Sequence, residues 1–186
     1  QAAHKKTLDE SALHAADGEQ FAYLLADGTP VLIRPLRQED RELEEEFIMR
    51  LSPDSRRYRF LGDFKQPGPA LMDQLMDVDS RDRMAFVALV DEGSQRREIG
   101  VSRYASKPDG KRCECAVTVA DEWQHRGLGS LLMQHLIAIA RKNGYLQLFS
   151  IDSWSNEHMR ALADHLGFTR RFDPADETLV RYTFDL

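Results

Sequence analysis

Apolar residues fill every position from Met84 to Val90, a short uninterrupted run that predicts a strand. Two more strands follow, Ile99 to Ala105 and Arg112 to Val119. The turn chemistry at Asp91 to Ser94 and at Lys107 to Gly110 predicts that the three form an antiparallel meander. Upstream, Phe21 to Leu25 and Pro30 to Arg34 flank Asp27-Gly28-Thr29, the pattern of a hairpin. After Pro35 the period changes. Leu43, Phe47, Ile48 and Leu51 lie on one side of a charged helix from Asp40 to Leu51. Ser52-Pro53 then caps a short second helix ending near Phe60, Gly62 to Pro69 reads as a loop, and Ala70 to Met76 as another short helix. The clearest helical stripe is Leu128, Leu131, Leu132, His135, Leu136, Ile139 and Ala140, ending at Asn143-Gly144. Tyr145 to Ile151 is a further strand, Asn156 to Leu166 a helix stopped by Gly167, and Phe168 to Phe172 and Thr178 to Phe184 the last strands. Residues 1–19 lack this periodicity and read as a tail or a short helix, leaving 20–186 as a single domain built on a mixed sheet with helices on its faces.

Charge removes several function classes. The 186 residues carry 25 Lys and Arg against 31 Asp and Glu, a formal charge of -6, which argues against general nucleic-acid binding through phosphate neutralisation. No apolar run approaches the roughly 18 residues of a membrane span, and residues 1–20 hold no signal-peptide core. Cys113 and Cys115 sit on one face of one strand with parallel side chains, a poor geometry for a disulfide, so a reduced, cytoplasmic protein is the expectation.

Candidate chemistry concentrates between the third meander strand and the long helix, at Gln124-His125-Arg126-Gly127-Leu128-Gly129. A helix start exposes unpaired N–H groups and the positive end of the helix dipole. Two glycines there allow close backbone approach by an anion. A dinucleotide fingerprint would need glycine where Leu132 stands, and no Gly-Lys-Ser or Gly-Lys-Thr is present, so the turn is neither a Rossmann loop nor a P-loop. The residues alone leave two readings, an anion cradle or a tight turn with a glycine cap.

In this order of elements, Gln124-x-x-Gly127-x-Gly129 resembles the acyl-CoA-binding motif of the GCN5-related N-acetyltransferase (GNAT) superfamily, and the resemblance runs from Pro30 to the C-terminus. Asp27 to Arg37, Leu51 to Phe60, and Ala116-Val117-Thr118-Val119 with the glycine turn are similar to the acetyltransferase domain of bacterial protein lysine acetyltransferases, although the large synthetase-like domain often found in those enzymes is missing. The resemblance implies an α/β (α+β) fold with a mixed, mostly antiparallel sheet of about six to seven strands and helices on both faces. Residues 20–186 would be one acetyltransferase domain. It implies acetyl-CoA as cosubstrate, laid between parallel strands at 113–120 and 145–151 that splay at one end. The pantetheine arm would meet the backbone of Val117, Thr118 and Val119. The diphosphate would take N–H groups from the turn formed by Gln124, His125, Arg126, Gly127, Leu128, Gly129 and Ser130. Arg126 would add charge near the phosphates or point into solvent, and Asn156 would cap its helix, contact pantetheine, or both.

Attack on a thioester needs a neutral amine, and a carboxylate nearby can accept its proton. Glu114 is the sole acidic residue of the strand leading to the glycine turn. It reads as a charge on the wet face of a strand or, by the resemblance, as the general base. Many superfamily members carry a tyrosine, a general acid, where this chain has Ala163. The six histidines show no zinc spacing, so no metal is expected. Cys113 and Cys115 read as small strand residues. The run Glu44, Glu45 and Glu46 reads mainly as a solvated helix face, yet Glu45, Asp77 and Asp79 are candidates for an acidic rim that draws in an amine. The expected activity is direct acetyl transfer to a primary amine, foremost a protein lysine. The competing readings are a small-amine acetyltransferase acting on a polyamine or aminoglycoside, and a non-catalytic acyl-CoA sensor. A homodimer is expected only as a base rate. A protein acceptor calls for an open groove leading to Glu114, a small amine for a closed pocket lined by aromatics.

Overall fold

The computed structural model describes residues 20–60 and 66–186; the tail expected at 1–19, and residues 62–65 of the loop expected before the third helix, lie outside the described residues. The described chain runs β1 (Phe21–Leu24), β2 (Pro30–Pro35), a 3-10 turn at Gln38–Asp40, α1 (Arg41–Arg50), α2 (Pro53–Phe60), α3 (Pro69–Met76), β3 (Arg83–Glu92), β4 (Gln95–Ser106) and β5 (Arg112–Val119). A second 3-10 turn at Asp121–Trp123 leads into α4 (Leu128–Lys142), followed by β6 (Gln147–Ser153), α5 (Glu157–Leu166), β7 (Thr169–Phe172) and β8 (Leu179–Asp185).

These strands form one eight-stranded sheet in the order β1-β2-β3-β4-β5-β6-β8-β7. That exceeds the expected six to seven. The margin comes from β7, whose four residues are exposed along their length and pair with β8 alone. A strand with so little burial leaves a weak signature in sequence. Every pairing is antiparallel except that of β5 with β6.

Helices cover both faces, and β3 explains why its sequence lacks polar positions. Met84, Phe86, Ala88 and Val90 belong to the core beneath α4 and α5, while Ala85, Val87 and Leu89 belong to the core beneath α1 and α3. A strand buried on both faces reads as a continuous apolar run rather than an alternation. The turn into α1 is pinned by a bidentate pair, Arg34 to Asp40 at 2.6 and 2.8 Å, with both side chains about 5% exposed or less. Removing one partner of such a buried pair typically costs about 3–5 kcal/mol.

His135 is fully buried on α4, between the rings of Phe21 and Phe86, and shares a 2.7 Å hydrogen bond with the Tyr23 hydroxyl. Burial brings the imidazole down to about 4. An unfolded histidine takes up its proton near pH 6.5, whereas the folded one stays neutral until about 4. Stability is therefore lost as pH falls through that window. Between pH 7 and 5 the loss should exceed that of His135→Leu by about 2 kcal/mol in denaturant titrations; equal losses in the two proteins would place the acid sensitivity elsewhere.

Candidate active site

Strands β5 and β6 pair over three residues only, from Arg112 opposite Gln147 to Glu114 opposite Phe149. Beyond that point β5 continues along β4 as far as Val119, and β6 continues along β8 as far as Ser153. The two strands therefore diverge, and the β6-facing backbone edge of β5 from Cys115 to Val119 has no strand partner. The gap is a cleft of about 490 Å³, lined by Cys115 to Val119 on one side and Ser150 to Asp152 on the other. Helix α2 spans it. At one end of α2, Asp121 accepts hydrogen bonds from the Ser52 N–H and from the Ser52 and Ser55 hydroxyls. Towards its other end, Tyr58 donates to the Ser155 carbonyl at 3.2 Å.

The glycine turn closes one end of this cleft. Gln124 and His158 line it, and the Gln124 side chain donates to the Val119 carbonyl at 3.1 Å, tying the turn to the end of β5. His125 and Gly127 both adopt left-handed backbone, with φ of 62° and 85°. Gly127 is the N-cap of α4 and supplies no side-chain cap. Among the described residues, the N–H groups of His125, Arg126, Gly127, Leu128, Gly129 and Ser130 have no acceptor. Consecutive free donors at a helix start make an anion cradle. Gly129 has another reason to be glycine. A Cβ there would lie 3.2 Å from the Leu162 side chain, so its absence lets α5 pack on α4.

Other candidate residues are placed as follows. Arg126 turns to Asp27, 2.9 Å away, and stacks 4.7 Å from the Trp123 ring centroid. Ser130 accepts from Gln134. Asn156 lines the cleft and caps α5 by accepting from the Met159 N–H at 3.2 Å. Ala163 is fully buried in the core, so no side chain from that position reaches the cleft. His125 and His158 meet edge to face at 5.4 Å, and burial, then His125, hold the His158 imidazole below its usual range. Among the described residues, no group of three or more His, Cys, Asp or Glu could hold a metal ion, and no helix is long and apolar enough to cross a membrane.

A second cleft of about 350 Å³ lies on the other side of Glu114, lined by Asp77, Val78, Arg83, Arg103, Tyr104 and Lys107 among others. Arg59, Gln74, Glu114, Cys115 and Ala116 line both clefts, so Glu114 stands where they join. Its carboxylate is half exposed and lies 3.6 Å from the Lys107 ammonium. Tyr104 is the only aromatic among the described residues lining this second cleft.

The expected acidic rim is only partly gathered at this cleft. Asp77 lines the second cleft, but Glu45 and Asp79 do not, and the described cations there, Arg59, Arg83, Arg103 and Lys107, outnumber the carboxylates Asp77 and Glu114. Asp79 is occupied by the N–H groups of Arg81, Asp82 and Arg83, which it gathers into a turn. The run at 44–46 is not wholly solvated either. Glu44 is 2% exposed and pairs with Arg103 at 3.2 Å. Next to it, burial and then Glu44 push the buried Glu98 carboxyl well above the usual range.

Three further groups at the junction escaped the sequence reading. Arg59, brought down to about 10 by burial and then by Arg103, remains a cation at neutral pH and makes no ion pair among the described residues. Asp152 faces the first cleft, its carboxyl raised by burial against the hydrogen bond from Ser150 and the charge of Arg59. Lys107 reaches Glu114 from the turn between β4 and β5. The cysteines, in contrast, are free and buried. Burial, then Asp82 and Asp109, push the Cys113 thiol up to about 12, and burial, then Asp152 and Glu114, push Cys115 higher still. Without a thiolate, neither can relay an acyl group.

Residues 41–168 match the model of the acetyltransferase (GNAT) family. The chain is 54% identical over 170 residues to an acetyltransferase of Pseudomonas aeruginosa, covering 91% of each protein. It is 33% identical over 111 residues to the acetyltransferase Pat of Mycolicibacterium smegmatis, covering 59% of this chain and 33% of that one. Among solved structures, the GNAT domain of S. lividans PAT superposes with a TM-score of 0.80 at 25% identity, over 90% of this chain and 97% of that one.

Proposed function

The chain belongs to the acetyltransferase (GNAT) family, and from that premise we propose that it moves an acetyl group from acetyl-CoA directly to the side-chain amine of a protein lysine. The observation that carries this reading is Glu114 at the join of two clefts. In it, the first cleft takes the donor, with the diphosphate on the free N–H groups at 125–130 and the pantetheine along the unpaired edge of β5. The thioester then ends near Cys115 and Ala116, where the second cleft brings in the acceptor. An ammonium arriving there gives its proton to the Glu114 carboxylate, and the neutral nitrogen attacks the thioester carbonyl. The C–S bond breaks, and the CoA thiolate departs and takes up the second proton lost by the nitrogen; it is a fairly good leaving group, which suits a chain with alanine at 163. The buried cysteines favour direct transfer over an acyl-enzyme.

The likeness to the Pat and PAT proteins, to which the sequence phrases around 27–37 and 51–60 also belong, supports a protein acceptor. The charge of the second cleft weighs against polyamines. Arg83, Arg103 and Lys107 are each paired with a carboxylate, which leaves Arg59, among the described residues, as the cation that an acidic flank of an acceptor lysine would be drawn to and a polyamine repelled by. A thiol-release assay comparing lysine peptides with acidic or basic flanks against spermidine tests this. The acidic peptide should exceed spermidine in kcat/KM by about tenfold or more. Faster turnover of spermidine would move the assignment to small amines.

A further inference from the structure

Lys107 occupies the place that an acceptor lysine has to reach. It follows the last residue of β4 and opens the turn into β5, its backbone held by bonds from its own N–H to the Arg112 carbonyl at 2.8 Å and from the Gly110 N–H to its carbonyl at 3.0 Å. The side chain runs from this fixed base into the second cleft. Its ammonium lies 3.6 Å from Glu114 and 5.8 Å from the ring centroid of Phe149, the residue opposite Glu114 where β5 and β6 begin to diverge. Of the three lysines among the described residues, Lys107, Lys111 and Lys142, only Lys107 lines either cleft.

We propose that Lys107 is a site of intramolecular self-acetylation, the chain acting as its own acceptor when acetyl-CoA is bound. This rests on the reading of Glu114 as the base. Glu114 takes one proton from the Lys107 ammonium with which it is already paired. The nitrogen lone pair attacks the thioester carbonyl, the C–S bond breaks, and the sulfur leaves with its electron pair as CoA thiolate, which takes up the second proton that the nitrogen gives up, while Glu114 releases the first to solvent. The products are an amide on Lys107, free CoA and one released proton. The modification removes the cation beside Glu114 and leaves an acetyl group in the acceptor cleft. It is therefore expected to slow or redirect transfer to other acceptors as it accumulates.

The test incubates the purified full chain with acetyl-CoA alone, and in parallel with a lysine peptide, and follows each by intact mass and peptide mapping over the six lysines of the chain. The peptide containing Lys107 should gain one acetyl group about tenfold faster than those containing Lys111 or Lys142. The rate should not change on dilution of the protein, should collapse in Glu114→Gln, and the label should vanish in Lys107→Arg but persist in Lys111→Arg. Heat-denatured protein supplies the rate of uncatalysed acetylation. Turnover of the external peptide with Lys107 left unmodified overturns self-acetylation while the proposed function stands. Labelling that speeds up in proportion to protein concentration, or that falls equally on all lysines, also overturns it. Failure of both reactions overturns the proposed function along with it.

Discussion

Glu114→Gln should lower kcat for acetyl transfer by roughly 10²- to 10⁴-fold, the range expected when a positioned general base is removed. The substitution keeps the size of the side chain and removes its ability to take a proton. Affinity for acetyl-CoA, measured by calorimetry, should stay within about threefold, because the proposed donor contacts are backbone groups elsewhere and a lost base does not alter ground-state binding. The pH–rate profile should change shape as well as height. Glu114 is half exposed and its one ion-pair partner among the described residues is Lys107, so stability should barely move, as is usual for surface pairs. A variant with wild-type kcat and wild-type pH dependence would remove Glu114 from the mechanism. Asp152, across the divergence on β6, would then be the carboxylate to test.

Gly127→Val should weaken acetyl-CoA binding by about tenfold or more, because a β-branched residue at φ 85° is strained by roughly 1–2 kcal/mol and relieves that strain by rotating the N–H groups of the cradle. Gly127→Asn, which tolerates left-handed backbone, should retain most of the affinity. Gly129 makes the comparison informative. Gly129→Val places methyl groups against Leu162, so its main effect should be a lower melting temperature, with less loss of affinity per degree. Calorimetry on folded protein separates the two. Unchanged CoA affinity in Gly127→Val would mean that the turn is only a helix cap.

Much of this architecture was legible because it depends on local chemistry. The Leu128 to Ala140 stripe, the Asp-Gly hairpin and the glycine turn each fix a conformation within a few residues, and each lies where the pattern puts it. The parallel divergence of β5 and β6 was legible only through the family resemblance, since no local signal says that a strand pairs for three residues and then stops. The site's charges were harder. Glu44 looks like its neighbours Glu45 and Glu46 until the helix phase turns it onto Arg103 and Glu98, residues more than fifty positions away. Lys107 and Glu114 are seven residues apart, and only the register of the β4–β5 hairpin brings their side chains together. Asp79 differs from the sequence expectation for the opposite reason. Its carboxylate is consumed locally, by the backbone of the turn it starts.

An ordinary sheet has two borders where another chain could add a strand, and proteins guard such borders against aggregation. The divergence of β5 and β6 opens two more, in the middle of the sheet, where neither strand has a strand partner on the side facing the other. The same unpaired groups that suit an acyl-CoA arm would equally suit a stray extended segment from another molecule. If the thioester fills this cleft as proposed, cosubstrate supply and colloidal behaviour are linked: among the described strands, a filled chain presents β1 and β7 as free borders, and an empty one presents the seam as well.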